Sequence, residues 1–243
     1  VIALQVLLLA SPTAAGSDDW QTFTGAWSAP PMWLFLAGLI MAKAAERAGI
    51  ARWIADTALG LTGGRGAGVL IAAMGVTFLF SMFISNTATT ALMVAVLGSV
   101  GVAGPSGTTE ARRALLVGVA FAANVGGMAT LIGTPPNAIA AGLLDDVRTV
   151  SFPVWMLFGL PPALLVVGGL AGALALRSAV RGARFSLPPP AAETAETPLG
   201  SRLAVIAIFA LTILAWLSEA WHGLPTAVVA FLPIVALSAI GVI

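Results

Sequence analysis

The chain is organised as long apolar segments separated by short polar loops. Three of these segments carry no charged side chain, namely 66–109, 114–144 and 149–176, with lengths of 44, 31 and 28 residues. A helix needs about 20 apolar residues to cross the hydrocarbon core of a bilayer, so each run is long enough for at least one crossing. We find no segments of about ten residues that alternate apolar with polar positions, as transmembrane β-strands do. The pattern predicts an all-α polytopic membrane protein.

Composition supports this prediction and limits the possible chemistry. The chain is 59% hydrophobic and 9% charged, with a mean hydropathy of +1.01, which lies outside the range of soluble globular domains. It has no cysteine, so disulfides and thiolate metal sites are excluded. Its few basic residues are scattered among loops, and we expect no nucleic-acid partner. The lipid bilayer is the expected environment.

Basic residues predict which loops face the cytoplasm, because cytoplasmic loops carry an excess of Lys and Arg. If residues 66–104 crossed the membrane once, every later loop would be inverted against this rule. If they enter and return on the cytoplasmic side, ten of the eleven basic residues lie inside. An uncharged run of 44 residues also fits two half-helices. We therefore predict a re-entrant hairpin with its turn near residues 85–87.

The same reasoning gives an order of elements along the chain. We predict helices at 1–10 and 31–48, an interfacial helix at 49–61, the hairpin at 66–104, a broken helix at 114–144 and a helix at 152–176. An ordinary loop helix is an equal alternative for 49–61. A Pro-rich segment, 181–200, is predicted to be a flexible cytoplasmic linker, and helices at 203–218 and 224–243 follow it. Six tryptophans are predicted to form an aromatic belt at the outer interface: Trp20, Trp27, Trp33, Trp155, Trp216 and Trp221.

Polar side chains gather at the predicted tip of the hairpin, in the sequence SMFISNTATTA. They are Ser81, Ser85, Asn86, Thr87, Thr89 and Thr90. Such groups are costly at membrane depth unless they line a cavity or meet a partner. Hydroxyl groups that bond back to their own helix are the alternative, but that role explains Asn86 at a turn poorly. We interpret the cluster as a ligand-binding tip.

A second irregularity lies in the next crossing, GGMATLIGTPPNAIA, residues 126–140. Pro135 and Pro136 cannot donate backbone hydrogen bonds, and each disfavours helix in the residue before it. The helix must therefore break near Gly133, and the carbonyls of residues 129–132 lose helical partners. A simple proline kink is the alternative. Unwound carbonyls at mid-membrane could coordinate a small cation, while half-helix N-termini could offer N–H groups to an anion.

These motifs carry a resemblance to a known family. SNTATTALMVAV, preceded by Ser81 and followed by ANVGGMATLIGTPPNAIA, resembles the first-repeat signature of the divalent anion/sodium symporters, which carry dicarboxylates, citrate or sulfate. LFLAGLIMAKAAERAGIARWIA and FPVWMLFGLPPALL extend the resemblance over most of residues 30–165. The resemblance implies a homodimer of inverted repeats that transports by an elevator-like movement. Residues 1–180 would form the first repeat, and 201–243 would begin the second.

The resemblance also implies particular site residues. Those that would hold sodium are Ser81, Ser85, Asn86 and the backbone of Gly133. Those that would face the substrate carboxylate are Ser85, Asn86, Thr87, Thr134 and Pro135. Na⁺ would be the coupling ion, with no transition metal and no other cofactor, and the expected location is a prokaryotic inner membrane. The family's second hairpin and second broken helix are not in this sequence, so we expect it to be part of a longer polypeptide, incomplete at both ends.

The charge inventory suggests how coupling would work. We expect no Arg, Lys or His in the cavity walls, so bound cations would offset the charge of a dianion. Sodium and anion would then raise each other's affinity. Alternatives are an arsenite or other anion carrier, a Na⁺/H⁺ exchanger, a channel or a structural membrane subunit. An intramembrane enzyme is disfavoured, because the only histidine, His222, lies at the outer edge and no Lys or acid lies at hairpin depth.

Overall fold

The computed structural model of the chain describes residues 29–103, 108–144, 150–187 and 199–242. The helix predicted at 1–10 and the residues Trp20 and Trp27 lie outside these ranges. In chain order the helices are α1 Pro30–Arg47, α2 Ile50–Gly60, α3 Gly66–Ser81, α4 Asn86–Gly98, α5 Thr108–Met128, α6 Pro135–Leu144, α7 Phe152–Ala175, α8 Ser178–Arg181, α9 Leu199–Leu217, α10 Glu219–His222, α11 Thr226–Val229 and α12 Phe231–Ala239. The strands are β1 Gly101–Ala103 and β2 Arg184–Ser186. The helical fold class is confirmed, and the described residues also include one short antiparallel pair of strands.

Helix positions agree with the prediction to within a few residues over most of the described chain. The exception is 224–243, where one helix was predicted and two short helices, α11 and α12, are found after α10. Gly223 ends α10 with a φ of 68°, a left-handed conformation that glycine adopts readily. Pro225 then precedes α11 as its N-cap. Gly223 and Pro225 therefore separate α10 from α11, whereas Ala230, between α11 and α12, keeps helical backbone angles (φ −60°, ψ −24°).

Helices α3 and α4 form a hairpin closed by residues 82–85. At its open end, the N–H of Gly66 donates to the carbonyl of Ala183 at 3.0 Å, and Gly101 pairs with Ser186 of β2. Both ends of the hairpin therefore lie beside the same short segment, residues 183–186. The turn comes slightly earlier than predicted, because the Ser85 hydroxyl accepts a hydrogen bond from the N–H of Ala88 and caps α4.

Two glycines let α8 and β2 approach the start of the hairpin closely. A Cβ atom at Gly64, whose φ is 74°, would lie 2.2 Å from the carbonyl oxygen of Phe185, and one at Gly66 would lie 2.0 Å from that of Val180. Phe185 itself is buried in the core. The first residues of the predicted flexible linker are thus ordered and packed, which hydropathy did not indicate.

The hydrophobic interior is divided into two clusters that meet beside the hairpin turn. One is formed by α2, α3, α4, α5 and α7, with α3 packed most extensively on α5. The other joins α1 to the C-terminal helices, where Phe152 stacks on Trp216 with 4.9 Å between ring centroids. Trp216 is fully buried, so its assignment to an interfacial aromatic belt is wrong. Its indole N–H donates to the carbonyl of Thr226, which satisfies the polar end of a buried ring.

Two helices, Phe152–Ala175 and Gly200–Leu217, are long and apolar enough to cross a membrane. Only 11% and 17% of their most apolar windows are buried within the described chain. Their exposed faces carry large apolar side chains such as Phe158, Leu165 and Leu214. The core helix of a soluble protein would be mostly buried, and large exposed apolar surface marks contact with lipid or another protein. The outer faces of α7 and α9 therefore fit an integral membrane protein.

Candidate functional site

The hairpin turn and the break between α5 and α6 lie against each other. The hydroxyl of Thr130, within the break, donates to the carbonyl of Met82 in the turn. The hydroxyl of Ser81, at the end of α3, lies 2.6 Å from the carbonyl oxygen of Ala123 on α5. Both hydroxyl groups are fully buried. The two irregularities found in the sequence thus form one site.

Three glycines make this close approach possible. A Cβ atom at Gly126 would lie 2.4 Å from the carbonyl oxygen of Phe78, and one at Gly127 would lie 2.5 Å from Oδ1 of Asn86. One at Gly133 would lie 2.6 Å from the carbonyl oxygen of Gly127. Real Cβ atoms do not approach other atoms this closely. Glycine is therefore required for packing at these positions, although none of the three has a positive φ.

A compact group of oxygen atoms lies where the hairpin meets α5. Oγ of Ser81 is 2.7 Å from Oδ1 of Asn86 and 2.6 Å from the carbonyl oxygen of Ala123. A hydroxyl carries one hydrogen, so it can donate to only one of these acceptors at a time. The Nδ2 atom of Asn86 donates to Oδ1 of Asn124 at 3.3 Å, which turns its oxygen toward Ser81. We call Ser81, Asn86 and the Ala123 carbonyl the oxygen cluster.

The chemistry of this cluster suits a hard cation. Its members are neutral hydroxyl, amide and carbonyl oxygens, which are the ligand types that hard cations take in proteins. One oxygen–oxygen contact has no hydrogen between its atoms, and a positive charge would relieve the repulsion. Among the described residues, no three His, Cys, Asp or Glu side chains are grouped to hold a metal ion. The arrangement differs in this respect from a transition-metal site.

Side chains take up the carbonyls that the helix break releases. Nδ2 of Asn137 donates to the carbonyl oxygens of Gly127 and Thr130 at 2.8 and 2.7 Å. Nε1 of Trp155, on α7, donates to the carbonyl oxygen of Met128 at 3.1 Å. The Thr130 carbonyl, one of those expected to lose helical partners, thus accepts a hydrogen bond from the Asn137 amide. Trp155 therefore lies against the break and donates a hydrogen bond to it. This contact is not expected of a residue assigned to the outer aromatic belt.

The two half-helix N-termini differ in what they offer an anion. Helix α4 begins at Asn86, so the N–H groups of Asn86 and Thr87 lie in a first turn with no intrahelical acceptor. Helix α6 begins with Pro135 and Pro136, which have no N–H to donate. The N–H of Asn137 donates to the carbonyl of Thr134. N–H groups without an intrahelical acceptor are therefore present at the start of α4, whereas the first two residues of α6 have no N–H.

A cavity of about 620 Å³ lies between the hairpin tip, the break and helices α1 and α2. Its lining residues include Ser85, Gly133 and Pro135, together with Lys43 and Arg52. The expectation of a cavity without basic residues is therefore wrong.

Both basic side chains of the cavity have acidic partners. Nζ of Lys43 lies 2.9 Å from Oε2 of Glu46, and Nε of Arg52 lies 3.6 Å from Oδ2 of Asp56. These pairs leave little unbalanced positive charge at the rim.

The predicted site residues are thus brought to one region but in different settings. Asn86 and Ser81 belong to the oxygen cluster, Ser85 caps α4, and Thr87 is exposed at the start of α4. Gly133 packs on Gly127. Three residues that the sequence interpretation left without a role have partners here: Asn124, Thr130 and Asn137. The sequence could have indicated these residues, because each is a polar side chain within the uncharged run 114–144.

A discontinuous helix beside a polar site is a feature that secondary transporters share. Comparison with known proteins agrees. Residues 1–243 match the citrate transporter family, CitMHS, and the chain belongs to this family. The resemblance to the divalent anion/sodium symporters is also confirmed.

Two relatives illustrate the similarity. The chain is 34% identical over 151 residues to the sodium-dependent high-affinity dicarboxylate transporter 3 of Caenorhabditis elegans, a match that covers 54% of the chain and 27% of the relative. It is 31% identical over 148 residues to the sodium-dependent dicarboxylate transporter SdcS of Staphylococcus aureus, covering 56% of the chain and 28% of the relative. The chain therefore matches less than a third of the length of these relatives.

Proposed function

We propose that the chain supplies a sodium site and one side of a substrate site in a secondary active transporter that symports Na⁺ with a small divalent anion. The anion would be a dicarboxylate such as succinate or malate, citrate, or sulfate. The observation that carries the proposal is the oxygen cluster at the junction of the hairpin and the broken helix. The names of the two relatives, both sodium-dependent dicarboxylate transporters, support the choice of ion and substrate class.

Electrostatics links the cation to the anion. Burying a dianion without compensation is strongly unfavourable at membrane depth. The basic residues that line the cavity, Lys43 and Arg52, are already paired with acids. A sodium ion held by Ser81 and Asn86 would lie next to the N–H groups at the start of α4 and would offset the charge of a bound carboxylate. Sodium and anion would then raise each other's affinity by the same factor.

The hairpin is proposed to be re-entrant from the cytoplasmic side. Both of its ends adjoin β2, which carries Arg184, and basic residues favour the cytoplasm. The apolar faces of α7 and α9 would contact lipid. An elevator-like movement, a homodimeric assembly and a prokaryotic inner membrane are carried over from the family resemblance.

The test is Na⁺-driven uptake of labelled succinate or sulfate into liposomes containing the protein, expressed with whatever flanking sequence its gene encodes. Ser81→Ala removes one oxygen of the cluster and should raise the Na⁺ concentration for half-maximal uptake about tenfold. Ser99→Ala is the matched control, because its hydroxyl bonds the Val96 carbonyl beyond the C-terminus of α4, remote from the tip. Uptake that is unchanged when choline replaces Na⁺ would contradict symport. Uptake driven equally well by a proton gradient alone would indicate proton-coupled and not sodium-coupled transport of the anion.

A further inference from the structure

Asn137 connects the two halves of the broken helix. It lies in the first turn of α6 and is only 8% exposed. Both hydrogens of its amide are used, one on the carbonyl of Gly127 and one on that of Thr130. The connection crosses the non-helical residues 129–134, which would otherwise link the half-helices only through a flexible stretch of backbone.

Both acceptors of Asn137 also touch the hairpin. Gly127 packs against the side chain of Asn86 so closely that no Cβ atom would fit between them. Thr130 donates its own hydroxyl to the carbonyl of Met82 in the hairpin turn. Asn137 therefore fixes the two residues of the break on which the turn and the oxygen cluster rest.

We propose that Asn137 is a positioning residue that sets the sodium affinity of the oxygen cluster without contacting the ion. The inference rests on the proposed function, since it assumes that the cluster binds Na⁺. Loss of the amide donors would leave two buried carbonyls without their partner and release Gly127 from its position beneath Asn86. Coordination of a small cation depends on the distances between its ligand atoms, so loss of the Asn137 donors should weaken sodium binding. Asn137 uses its amide on the backbone carbonyls of the break and is not one of the residues proposed to face the substrate, so substrate affinity at saturating sodium should be preserved.

The experiment measures Na⁺ half-saturation and substrate KM for uptake in liposomes, together with the melting temperature of the purified protein. Asn137→Asp replaces the amide donor by a group of the same shape and should raise the half-saturating Na⁺ concentration about tenfold. The KM for succinate at saturating Na⁺ should stay within about twofold. Trp155→Phe is the matched control, because it removes the donor to Met128 at the same break on the side facing α7. It should lower the melting temperature but leave Na⁺ half-saturation within about twofold.

The outcomes separate the inference from the proposed function. If wild-type uptake shows no dependence on Na⁺, the proposed function fails. If wild-type uptake depends on Na⁺ but Asn137→Asp keeps the wild-type half-saturation, Asn137 is only structural and the inference is overturned. An equal shift in Trp155→Phe would also overturn it. Should Asn137→Asp not fold, Asn137→Ser decides the matter, because one remaining hydroxyl donor predicts a shift of about threefold and no shift contradicts the inference.

Discussion

Replacing Gly127 by alanine would perturb the oxygen cluster through the side chain of Asn86, against which Gly127 packs. The new Cβ atom would lie 2.5 Å from Oδ1, 2.9 Å from Nδ2 and 3.1 Å from Cγ of Asn86. The Asn86 side chain cannot keep its place, because all three of its terminal atoms are too close. It would have to leave Ser81, whose Oγ lies 2.7 Å away, or Asn124 at 3.3 Å.

The size of the effect follows from overpacking. Adding a methyl group to a filled interior costs about 1–3 kcal/mol, while alanine favours a helix over glycine by about 1 kcal/mol. The gain in helix propensity is the same with and without bound sodium, so it does not change the sodium affinity. If the steric cost falls on the sodium-bound arrangement, affinity drops roughly 5- to 150-fold, since 1.4 kcal/mol is tenfold.

The assay is a sodium titration of succinate uptake, accompanied by a melting curve. Gly75→Ala is the control, because Gly75 also lies inside a helix, α3, and a Cβ atom there meets nothing within 4 Å. It should leave half-saturation unchanged and add up to about 1 kcal/mol of stability. A Gly127→Ala protein that folds and keeps the wild-type Na⁺ half-saturation would refute the placement of Asn86 in a sodium site.

Two further predictions concern stability. Gly64→Ala should destabilise the fold by more than about 2 kcal/mol, since it adds a clash with Phe185 to a left-handed backbone. Gly63→Ala, also left-handed but with open space around it, should cost only the backbone term, and equal melting temperatures would contradict the close packing of β2. Thr89→Val should raise stability by about 1 kcal/mol, because the Thr89 hydroxyl is buried without a hydrogen-bond partner in the described part of the chain. A lower melting temperature in the valine variant would mean that this hydroxyl has a partner.

Much of the fold could be predicted from the sequence, because its strongest determinants are local. Uncharged runs located the helices, Pro135 and Pro136 located the break, and the distribution of Lys and Arg led to the hairpin. The turn was misplaced slightly, because the N–H of Ala88 donates to the Ser85 hydroxyl, and this cap lets α4 begin at Asn86. The belt assignment of Trp216 was wrong, since hydropathy cannot show that an aromatic ring packs against Phe152, 64 positions earlier in the chain.

The candidate site could be predicted only as a list of residue types near one another. Its geometry depends on contacts between distant positions, such as Ser81 with Ala123 and Asn86 with Gly127. Backbone oxygens carry no sequence signal, so the role of the Ala123 carbonyl could not be anticipated. The Asn137 amide was visible in the motif GTPPN, yet which carbonyls it would bond depends on how the chain folds back across the break.

The central claim is that the oxygen cluster binds sodium, and equilibrium binding of radioactive Na⁺ to the purified protein tests it most directly. We predict saturable binding to the wild-type protein, with affinity reduced about tenfold in Ser81→Ala and unchanged in Ser99→Ala. Saturable sodium binding that Ser81→Ala leaves at wild-type affinity would contradict the claim.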